Sequence, residues 1–285
     1  MTDHMINTSR RIVLRTAAQS AGVALALTSP LVRAALGEHS TVDVTEGPYF
    51  VDERLNRSDI RSDPVTGAVK DGLLLLLSIN VSTLDTSTGL TKPLPGAYVD
   101  IWHCDAAGLY SDESANNTVG QKFLRGYQLT DKQGKAQFRT IYPGWYSGRS
   151  PHIHCKVRQY ASSGTQTSTL TTQFFFDEQL TQLVYTDSLL PYVSHGLPDQ
   201  PHSTDQVYTG NNSCIAGAVA GDSLVLKVAR TAKYATAHFD ILIDESTRCA
   251  SQETGNTGGP GGGGMPPTGT PPDGTPPSFP TPSTT

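Results

Sequence analysis

Short apolar runs separated by turn residues constrain the fold of this chain more than any other feature of its sequence. Residues 73–83 are apolar enough to form a buried strand. Turn sequences such as Pro95-Gly96 and Pro143-Gly144 separate the runs that follow. Further strands are predicted at 98–104, 136–141, 152–157, 224–228 and 239–243. We therefore expect an all-β fold with an antiparallel β-sandwich core and few short helices, of which 177–190 is the best candidate.

The beginning of the chain has the order of a signal peptide. Residues 9–15 (SRRIVLR) are basic, an apolar run follows to residue 30, and small residues surround position 34. The pair Arg10-Arg11 resembles a twin-arginine signal. We expect residues 1–34 to be such a signal and the protein to be exported to the periplasm or the extracellular space. The apolar run is too short for a permanent membrane span.

The end of the chain has a composition that cannot build a core. From residue 255 it consists almost entirely of Gly, Pro, Thr and Ser. Such a composition predicts disorder, and we assign residues 251–285 to a disordered tail. Residues 35–250 remain as one domain.

The charge balance excludes some classes of partner. The full chain has 21 Lys and Arg residues, 26 Asp and Glu residues and a formal charge of −5. Without residues 1–34 it keeps 17 basic and 25 acidic residues, a charge of −8. An acidic chain disfavours nucleic acid and anionic membranes as partners.

The four cysteines favour a disulfide over a thiolate metal site. They do not form a CxxC pair, so a structural zinc site is disfavoured. Export would place them in an oxidising space, where disulfides persist. Three pairings are open among Cys104, Cys155, Cys214 and Cys249, and we favour Cys214 with Cys249 because both lie outside the densest motif.

Two histidines and two tyrosines are candidate metal ligands. His152 and His154 lie two residues apart in one predicted strand, so their side chains share a face, as is common for metal ligands. Tyr146 lies six residues before His152, and Tyr110 follows an earlier predicted strand. No Asp or Glu flanks the histidine pair, which disfavours an iron(II) site of two histidines and one carboxylate.

Two tyrosine ligands would favour a hard metal ion of high charge. A phenol has a pKa of about 10, so it becomes an anionic ligand at neutral pH only beside a strong positive charge. Ferric iron fits this requirement better than zinc or ferrous iron. Fe(3+) is therefore the expected cofactor.

Four segments resemble the intradiol ring-cleavage dioxygenases, which include protocatechuate 3,4-dioxygenase and catechol 1,2-dioxygenase. These segments are TEGPYF (45–50), WHCDAAGLYSD (102–112), RGYQLTDKQGKAQF (125–138) and TIYPGWYSGRSPHIHCKV (140–157). The chain lacks the long helical dimerisation segment that catechol 1,2-dioxygenases carry before the sandwich. It is more similar to the short, secreted members, and its oligomeric state stays open, a homo-oligomer included.

The resemblance implies a sandwich that holds non-haem iron(III). The family's four metal ligands fall on Tyr110, Tyr146, His152 and His154. Its active-site arginine falls on Arg149. A glutamine near the substrate falls on Gln173, where the spacing is looser.

The resemblance also implies a reaction. Both atoms of O2 would enter a catechol, and the ring would open between the two hydroxylated carbons to a muconate-type diacid. Tyr146 would accept a proton from the substrate, and Arg149 would stabilise the developing negative charge.

Other interpretations of the same residues stay open. The motifs at 93–102 and 129–138 also fit a transthyretin-like sandwich that serves as a binding module without catalysis. A zinc-dependent hydrolase could use His152 and His154, although it lacks an evident third ligand. Arg149 could instead form a salt bridge within its loop.

Several aromatic residues outside the ligand set have simpler interpretations. We expect His103 to be structural, because the set of four ligands is already complete. His195 and His202 lie in a polar segment and are expected at the surface. Tyr49 and Phe50 fit a pocket wall and simple packing equally well.

Overall fold

The computed structural model of the protein describes residues 39–85 and 87–252. The strands in chain order are β1 (Leu74–Asp85), β2 (Leu90–Pro93), β3 (Tyr98–Trp102), β4 (Arg125–Leu129), β5 (Lys135–Ile141), β6 (His152–Tyr160), β7 (Gln166–Phe175), β8 (Asn211–Asn212), β9 (Lys227–Arg230), β10 (Tyr234–Ile243) and β11 (Ser251–Gln252). The helices are α1 (Glu178–Tyr185) and α2 (Gln206–Thr209). Short 3-10 turns occur at Ser114–Asn116, Pro191–Ser194, His202–Thr204 and Gly221–Leu224.

Two sheets form the sandwich, which confirms the predicted fold class. One sheet has the order β2-β1-β10-β9, with β5 also paired to β1, and the other has the order β4-β3-β6-β7. The sandwich is not antiparallel throughout, since β1 and β10 pair in parallel from Leu74 opposite Tyr234 to Thr83 opposite Ile243. The alternation of apolar and polar residues in a strand indicates which face is buried, but not whether the neighbouring strand runs parallel or antiparallel. The sequence therefore could not predict this parallel pair.

The hydrophobic core lies between the two sheets, so one face of each strand is buried against it. The buried residues of β1 alternate with more exposed ones, and Leu75, Leu77, Ile79 and Val81 are at most 2% exposed. In β6 the core residues are Ile153, Cys155 and Val157. Successive side chains of a strand point to opposite faces. The residues between them, including His152 and His154, therefore lie on the side of the sheet away from this core.

Several predicted boundaries differ from the structure, and three of these differences have a visible cause. The strand predicted at 224–228 begins only at Lys227, because Gly221–Leu224 forms a turn that buries Leu224 in a second apolar cluster. The helix predicted at 177–190 is confirmed but ends at Tyr185, and it begins where Asp177 accepts a hydrogen bond from Leu180 N at 2.8 Å. Residues 251–252 are strand β11, paired with β8, so the domain extends two residues beyond the predicted limit.

The predicted disulfide is confirmed. Cys214 and Cys249 are bonded, with their Cα atoms 5.3 Å apart. Cys104 and Cys155 are free and buried. The bond joins the region of α2 and β8 to the end of the domain, next to β11.

The two ends of the chain lie largely outside the described residues. This applies to the predicted signal, 1–34, and to the predicted tail from residue 253 onward. Within the part that is described, no helix is long and apolar enough to cross a membrane.

Candidate metal centre

Strand β6 places two histidines at its beginning. His152 is 2% and His154 0% exposed, and their Nε2 atoms lie 3.1 Å apart. His152 Nδ1 donates to the carbonyl of Ser150 at 2.6 Å. Because a carbonyl oxygen only accepts, this bond leaves the Nε2 lone pair of a neutral His152 directed at the other candidate ligands.

The His154 ring is fixed by its neighbours in the sheet and by the segment at 45–50. Trp102 is its partner on β3, and the two rings stack with centroids 4.8 Å apart and planes 6° from parallel. Gly47 has a φ of 69°, and a Cβ there would lie 3.2 Å from His154 Cε1. This glycine allows its segment to pack closely against the imidazole.

Tyr110 lies in the loop after β3 and is 1% exposed. Its hydroxyl lies 3.1 Å from His154 Nε2. Thr118 Oγ1 donates to the Tyr110 carbonyl at 2.6 Å, and Ser111 Oγ donates to the Phe123 carbonyl at 2.7 Å. The loop that carries Tyr110 is therefore held by residues close to it in the chain.

Tyr146 lies in the loop between β5 and β6 and is half-buried. Its hydroxyl lies 3.4 Å from His152 Nε2. Burial raises the pKa of Tyr146 above its usual range. Its phenol is therefore protonated at neutral pH unless a cation lies beside it.

Two glycines bring the tyrosine loops together. Gly108 has a φ of 82°, and a Cβ there would lie 2.1 Å from the Trp145 carbonyl oxygen. A Cβ at Gly144 would lie 2.1 Å from the Asp105 carbonyl oxygen. Because no side chain fits at either contact, the backbones of the two loops can touch.

The four predicted ligands converge, and their electrostatics suit a cation. Burial is the largest cause of shifted pKa values here: it lowers the pKa of His152 and His154 and raises the pKa of Tyr110. The site thus holds two neutral imidazoles that can each offer a lone pair. Together with two phenols that ionise only beside a strong positive charge, they fit a ferric ion.

Arg149 and Gln173 meet beside this cluster. Gln173 lies on β7 opposite His154 and is fully buried. Arg149 Nη2 donates to Gln173 Oε1 at 2.6 Å, and Arg149 Nε donates to Asp205 Oδ2 at 3.0 Å. Arg149 therefore forms a salt bridge, but with a residue of a later segment rather than within its loop, and its charge acts to lower the pKa of Tyr146 against the effect of burial.

Comparison with known proteins gives a family. A family model described as "Dioxygenase" matches residues 45–197, more than half of the 285 residues. The chain belongs to the intradiol ring-cleavage dioxygenase family. The match includes the TEGPYF segment, both tyrosine loops and the histidine pair. Members of this family are oxygenases that use non-haem iron.

Named relatives in this family act on catechols. Catechol 1,2-dioxygenase of Acinetobacter baylyi is 34% identical over 119 residues, 40% of this chain and 35% of that protein. Chlorocatechol 1,2-dioxygenase of Pseudomonas putida is 31% identical over 113 residues, 33% of this chain and 40% of that protein. The chain thus spans less than half the length of these curated relatives.

A solved structure resembles more of the chain. An intradiol ring-cleavage dioxygenase from Tetranychus urticae is 27% identical, with a TM-score of 0.59. The alignment covers 74% of this chain and 97% of that one.

Arg125 is a buried residue beside the candidate ligands that the sequence did not single out. It is 2% exposed, and its Nε and Nη2 donate to Ser111 Oγ at 2.8 Å and Ser111 O at 2.7 Å. Nη1 donates to the Tyr49 carbonyl, and the guanidinium carbon lies 5.9 Å from the centre of the Tyr110 ring. Its position at the start of the 125–138 motif was a signal available in the sequence.

Tyr49 lines the cluster, which settles a choice the sequence left open. Its ring stacks on Tyr110 with centroids 4.3 Å apart and meets Tyr146 edge-on at 5.8 Å. Phe50 packs against Trp102 with centroids 4.8 Å apart. Tyr49 therefore belongs to the wall of the site, and Phe50 to the packing behind it.

Three histidines outside the ligand set have packing or hydrogen-bonding contacts. His103 is fully buried, and its Nδ1 donates to the Cys104 carbonyl at 2.8 Å while Nε2 lies 2.6 Å from Thr140 Oγ1, as its predicted structural role requires. His195 and His202 are half-buried, so they lie at the surface but are partly covered by packing contacts. The His195 ring packs against Trp145, which lies far earlier in the chain, at 4.6 Å, and the His202 ring stacks on the nearby Tyr208 at 4.1 Å.

Proposed function

We propose that this chain is a non-haem iron(III) dioxygenase that inserts both atoms of O2 into a catechol. The ring opens between the two hydroxylated carbons, and the product is a muconate-type diacid. One observation carries the proposal: four buried or half-buried donors converge through contacts of 3.1 Å between the two histidine Nε2 atoms, 3.1 Å from His154 to Tyr110 and 3.4 Å from His152 to Tyr146. Membership in the family and the catechol substrates in the relatives' names support it.

Tyr110, Tyr146, His152 and His154 are the residues that would hold the iron. When bound, the ferric ion would supply Lewis acidity and a template on which the catechol and O2 meet. Burial keeps both imidazoles neutral, so their lone pairs are available to the metal.

Tyr146 is the proposed proton acceptor. It is the more exposed of the two tyrosines, since Tyr110 is only 1% exposed whereas Tyr146 is half-buried. A catechol entering the site reaches Tyr146 more easily and must lose its hydroxyl protons to bind as a dianion. The Tyr146 oxygen would take one of these protons.

Arg149 is the proposed source of fixed positive charge. A guanidinium stays protonated, so it cannot serve as a metal ligand. Asp205 and Gln173 hold its guanidinium, and its charge favours ionised Tyr146. In this position it would bind the substrate and stabilise the negative charge that develops on the ring. Gln173, fixed by a bond from its Nε2 to the Thr45 carbonyl at 2.8 Å, would complete the substrate contacts.

Iron analysis, a visible spectrum and O2 uptake on one preparation test the proposal. We expect stoichiometric iron, a charge-transfer band from tyrosinate bound to iron(III), and consumption of O2 with catechols to give muconate-type products. Zinc cannot produce this band, so protein loaded with zinc is the control. A colourless, iron-free protein with full activity would overturn the proposal.

The two alternatives make different predictions. A zinc hydrolase needs a third ligand, but the one group of three His, Cys, Asp or Glu ligand atoms among the described residues is His39, Cys214 and Cys249, whose two thiols form the disulfide. A binding module needs none of the four converging donors. Hydrolysis by the zinc form, or a fold without iron that binds polymer, would favour these alternatives.

We also propose that the protein is exported by its twin-arginine-type sequence at residues 1–34. The basic, apolar and small-residue order of this sequence supports the proposal, and the Cys214–Cys249 disulfide is compatible with an oxidising compartment. Mass spectrometry of the N-terminus of secreted protein tests it. Replacement of Arg10 and Arg11 by Lys should leave precursor in the cytoplasm.

A further inference from the structure

The loop of residues 145–150 is bound along its length by a later segment, residues 195–205, here called the strap. At one end, Trp145 Nε1 donates to the Gly196 carbonyl at 3.0 Å. His195 Nε2 donates to the Trp145 carbonyl at 2.8 Å. This loop carries the proposed ligand and the proposed catalytic arginine, so the strap can influence both.

The middle of the strap makes further bonds to the same loop. Ser147 Oγ donates to Asp199 Oδ2 at 2.8 Å, and Ser150 Oγ donates to the Gln200 carbonyl at 3.0 Å. The bond to Asp199 is exposed, so it contributes little by itself.

Asp205, at the end of the strap, is a buried charge. Its side chain is 0% exposed, and it accepts hydrogen bonds from Arg149 Nε at 3.0 and 3.2 Å and from Ser150 N at 2.8 Å. It also accepts from Val207 N and Tyr208 N, which begin α2. A carboxylate that satisfies so many donors in a buried place leaves little freedom to the groups bound to it.

Arg149 is therefore held from two directions. Asp205 binds its Nε, and Gln173 Oε1 accepts from its Nη2 at 2.6 Å. An arginine side chain has many rotamers, and these two contacts select one of them. In that rotamer its charge lowers the pKa of Tyr146 and so favours the ionised form of that side chain.

We propose that Asp205 is the positioning residue for Arg149. Its carboxylate fixes the guanidinium against Gln173, in the loop that carries Tyr146, so that the positive charge is in place before charge develops on the substrate. The inference rests on the proposed function, in which Arg149 acts on the substrate. It comes from the structure, because the family match ends at residue 197 and Asp205 lies beyond it.

Asp205→Asn tests the positioning role. Asparagine keeps the size and one acceptor oxygen but removes the charge that holds Arg149. We expect wild-type iron content and an unchanged visible band, with kcat lowered by about 10²-fold, as a small misplacement of a reacting group can cause. KM should change less than kcat, because Arg149 acts mainly on charge that appears during the reaction.

A double-mutant cycle shows whether Asp205 acts through Arg149. If it does, Arg149→Ala combined with Asp205→Asn turns over no more slowly than Arg149→Ala alone. If the two losses in turnover multiply, Asp205 acts by another route and the proposal is overturned.

Chemical labelling gives a readout that does not depend on activity. Phenylglyoxal modifies accessible arginines, and mass spectrometry measures the rate at each one. Arg149 should be labelled faster in Asp205→Asn than in the wild type, while Arg158 should keep its rate. This arm still tests the contact if the protein proves to lack iron or catechol turnover, an outcome that would sink only the proposed function.

The far end of β6 offers a matched control. Asp100 binds Arg158 Nη2 and Nε at 2.8 and 3.0 Å, and both side chains are at most 10% exposed. Asp100→Asn breaks this buried pair while Asp52 still binds Arg158 Nη1 at 2.8 Å, and Arg149 labelling and turnover should be unchanged. A loss of turnover equal to that of Asp205→Asn would mean that any broken buried ion pair harms the enzyme, which overturns the proposal.

Asp205→Ser provides a second variant. Serine can still cap α2, because its hydroxyl accepts from a backbone N–H, but it carries no charge for Arg149. It should reproduce the low kcat and the fast labelling of Asp205→Asn. Wild-type turnover and labelling in both variants, or failure of both to fold, would leave Asp205 without a positioning role.

Discussion

The two tyrosine loops of the site are held in different ways. The Tyr110 loop binds to itself and to its neighbours: Asp105 Oδ1 accepts from Leu109 N at 3.0 Å, and Thr118 Oγ1 donates to the Tyr110 carbonyl at 2.6 Å. The Tyr146 loop is bound by the strap, through contacts such as that of Ser150 N with Asp205.

The two tyrosines differ in their burial and in the bonds that hold their loops. Tyr110 is buried, and its loop has local bonds such as the one to the Tyr110 carbonyl. This loop also has longer-range contacts, such as Lys70 with Asp105 and the ring of Tyr49 with that of the loop's tyrosine. Tyr146 is half-buried, and its loop depends on residues far away in sequence. The arrangement suits a site in which one tyrosine stays on the metal and the other takes part in proton transfer.

Replacing Tyr110 and Tyr146 in turn should have the largest effects on iron content and turnover. Tyr110→Phe should lose iron and with it all turnover, because the buried ligand has no substitute. Tyr146→Phe should keep more of its iron and its fold, while turnover falls by about 10²–10⁴-fold, the usual contribution of a proton-transfer group. Elemental analysis and O2 uptake on both variants measure the contrast.

Tyr142→Phe is the matched control for this pair. Tyr142 is also fully buried, and its hydroxyl bonds to Thr181 Oγ1 at 2.7 Å, away from the candidate ligands. It should keep iron and turnover. Equal iron loss in Tyr110→Phe and Tyr146→Phe would show that the two loops do not differ as described.

Arg149→Ala isolates the charge that the Tyr146 loop carries. We expect iron content and colour to remain, and turnover to fall by about 10²–10³-fold, as for the loss of one charge-stabilising donor. Iron stoichiometry and O2 uptake on the same preparation measure this. Arg139→Ala, at a side chain that is 54% exposed, should behave as the wild type. Loss of iron in Arg149→Ala would make its role structural.

His103 connects the segments that carry the two tyrosine loops and makes the stability of this region depend on pH. It lies on the Tyr110 side and bonds to Thr140 on the Tyr146 side. Burial lowers the pKa of His103 to about 4, whereas the unfolded value is about 6.5. The folded state therefore resists protonation, so its stability is complete above pH 6.5 and declines as the pH falls toward 4.

Denaturant unfolding at several pH values measures this contribution. The wild type should lose about 3 kcal/mol from His103 between pH 6.5 and pH 4, beyond what other groups contribute. In His103→Gln that part of the pH dependence should vanish, although the variant is less stable at neutral pH. The same slope in both proteins would contradict a neutral, buried His103.

Replacing Gly108 tests the contact between the two tyrosine loops, and its expected effect on the free energy of unfolding is the smallest. Gly108 and Gly120 have nearly the same φ, 82° and 81°, but only a Cβ at Gly108 meets other atoms within 4 Å. Gly120→Ala should therefore show only backbone strain of about 1–2 kcal/mol. Gly108→Ala should cost about 1–3 kcal/mol more, because it forces atoms together. Equal values for the two variants, by thermal or denaturant unfolding, would show that the loops tolerate separation.

Much of the site followed from local pattern. Alternation in β6 predicted that His152 and His154 share a face, because that depends only on strand geometry. The apolar runs predicted a sandwich for the same reason. By contrast, β1 and β10 pair in parallel although no residue in either strand indicates it.

The sequence by itself determined the chemistry of the candidate site: the residue types, their spacing in the 102–112 and 140–157 motifs, and the resemblance they carry. Only the tertiary structure decided how Arg149 is held, because Asp205 lies more than fifty residues later in a polar segment without a periodic signal. A buried ion pair between distant residues depends on packing and desolvation, which exist only once the chain has folded.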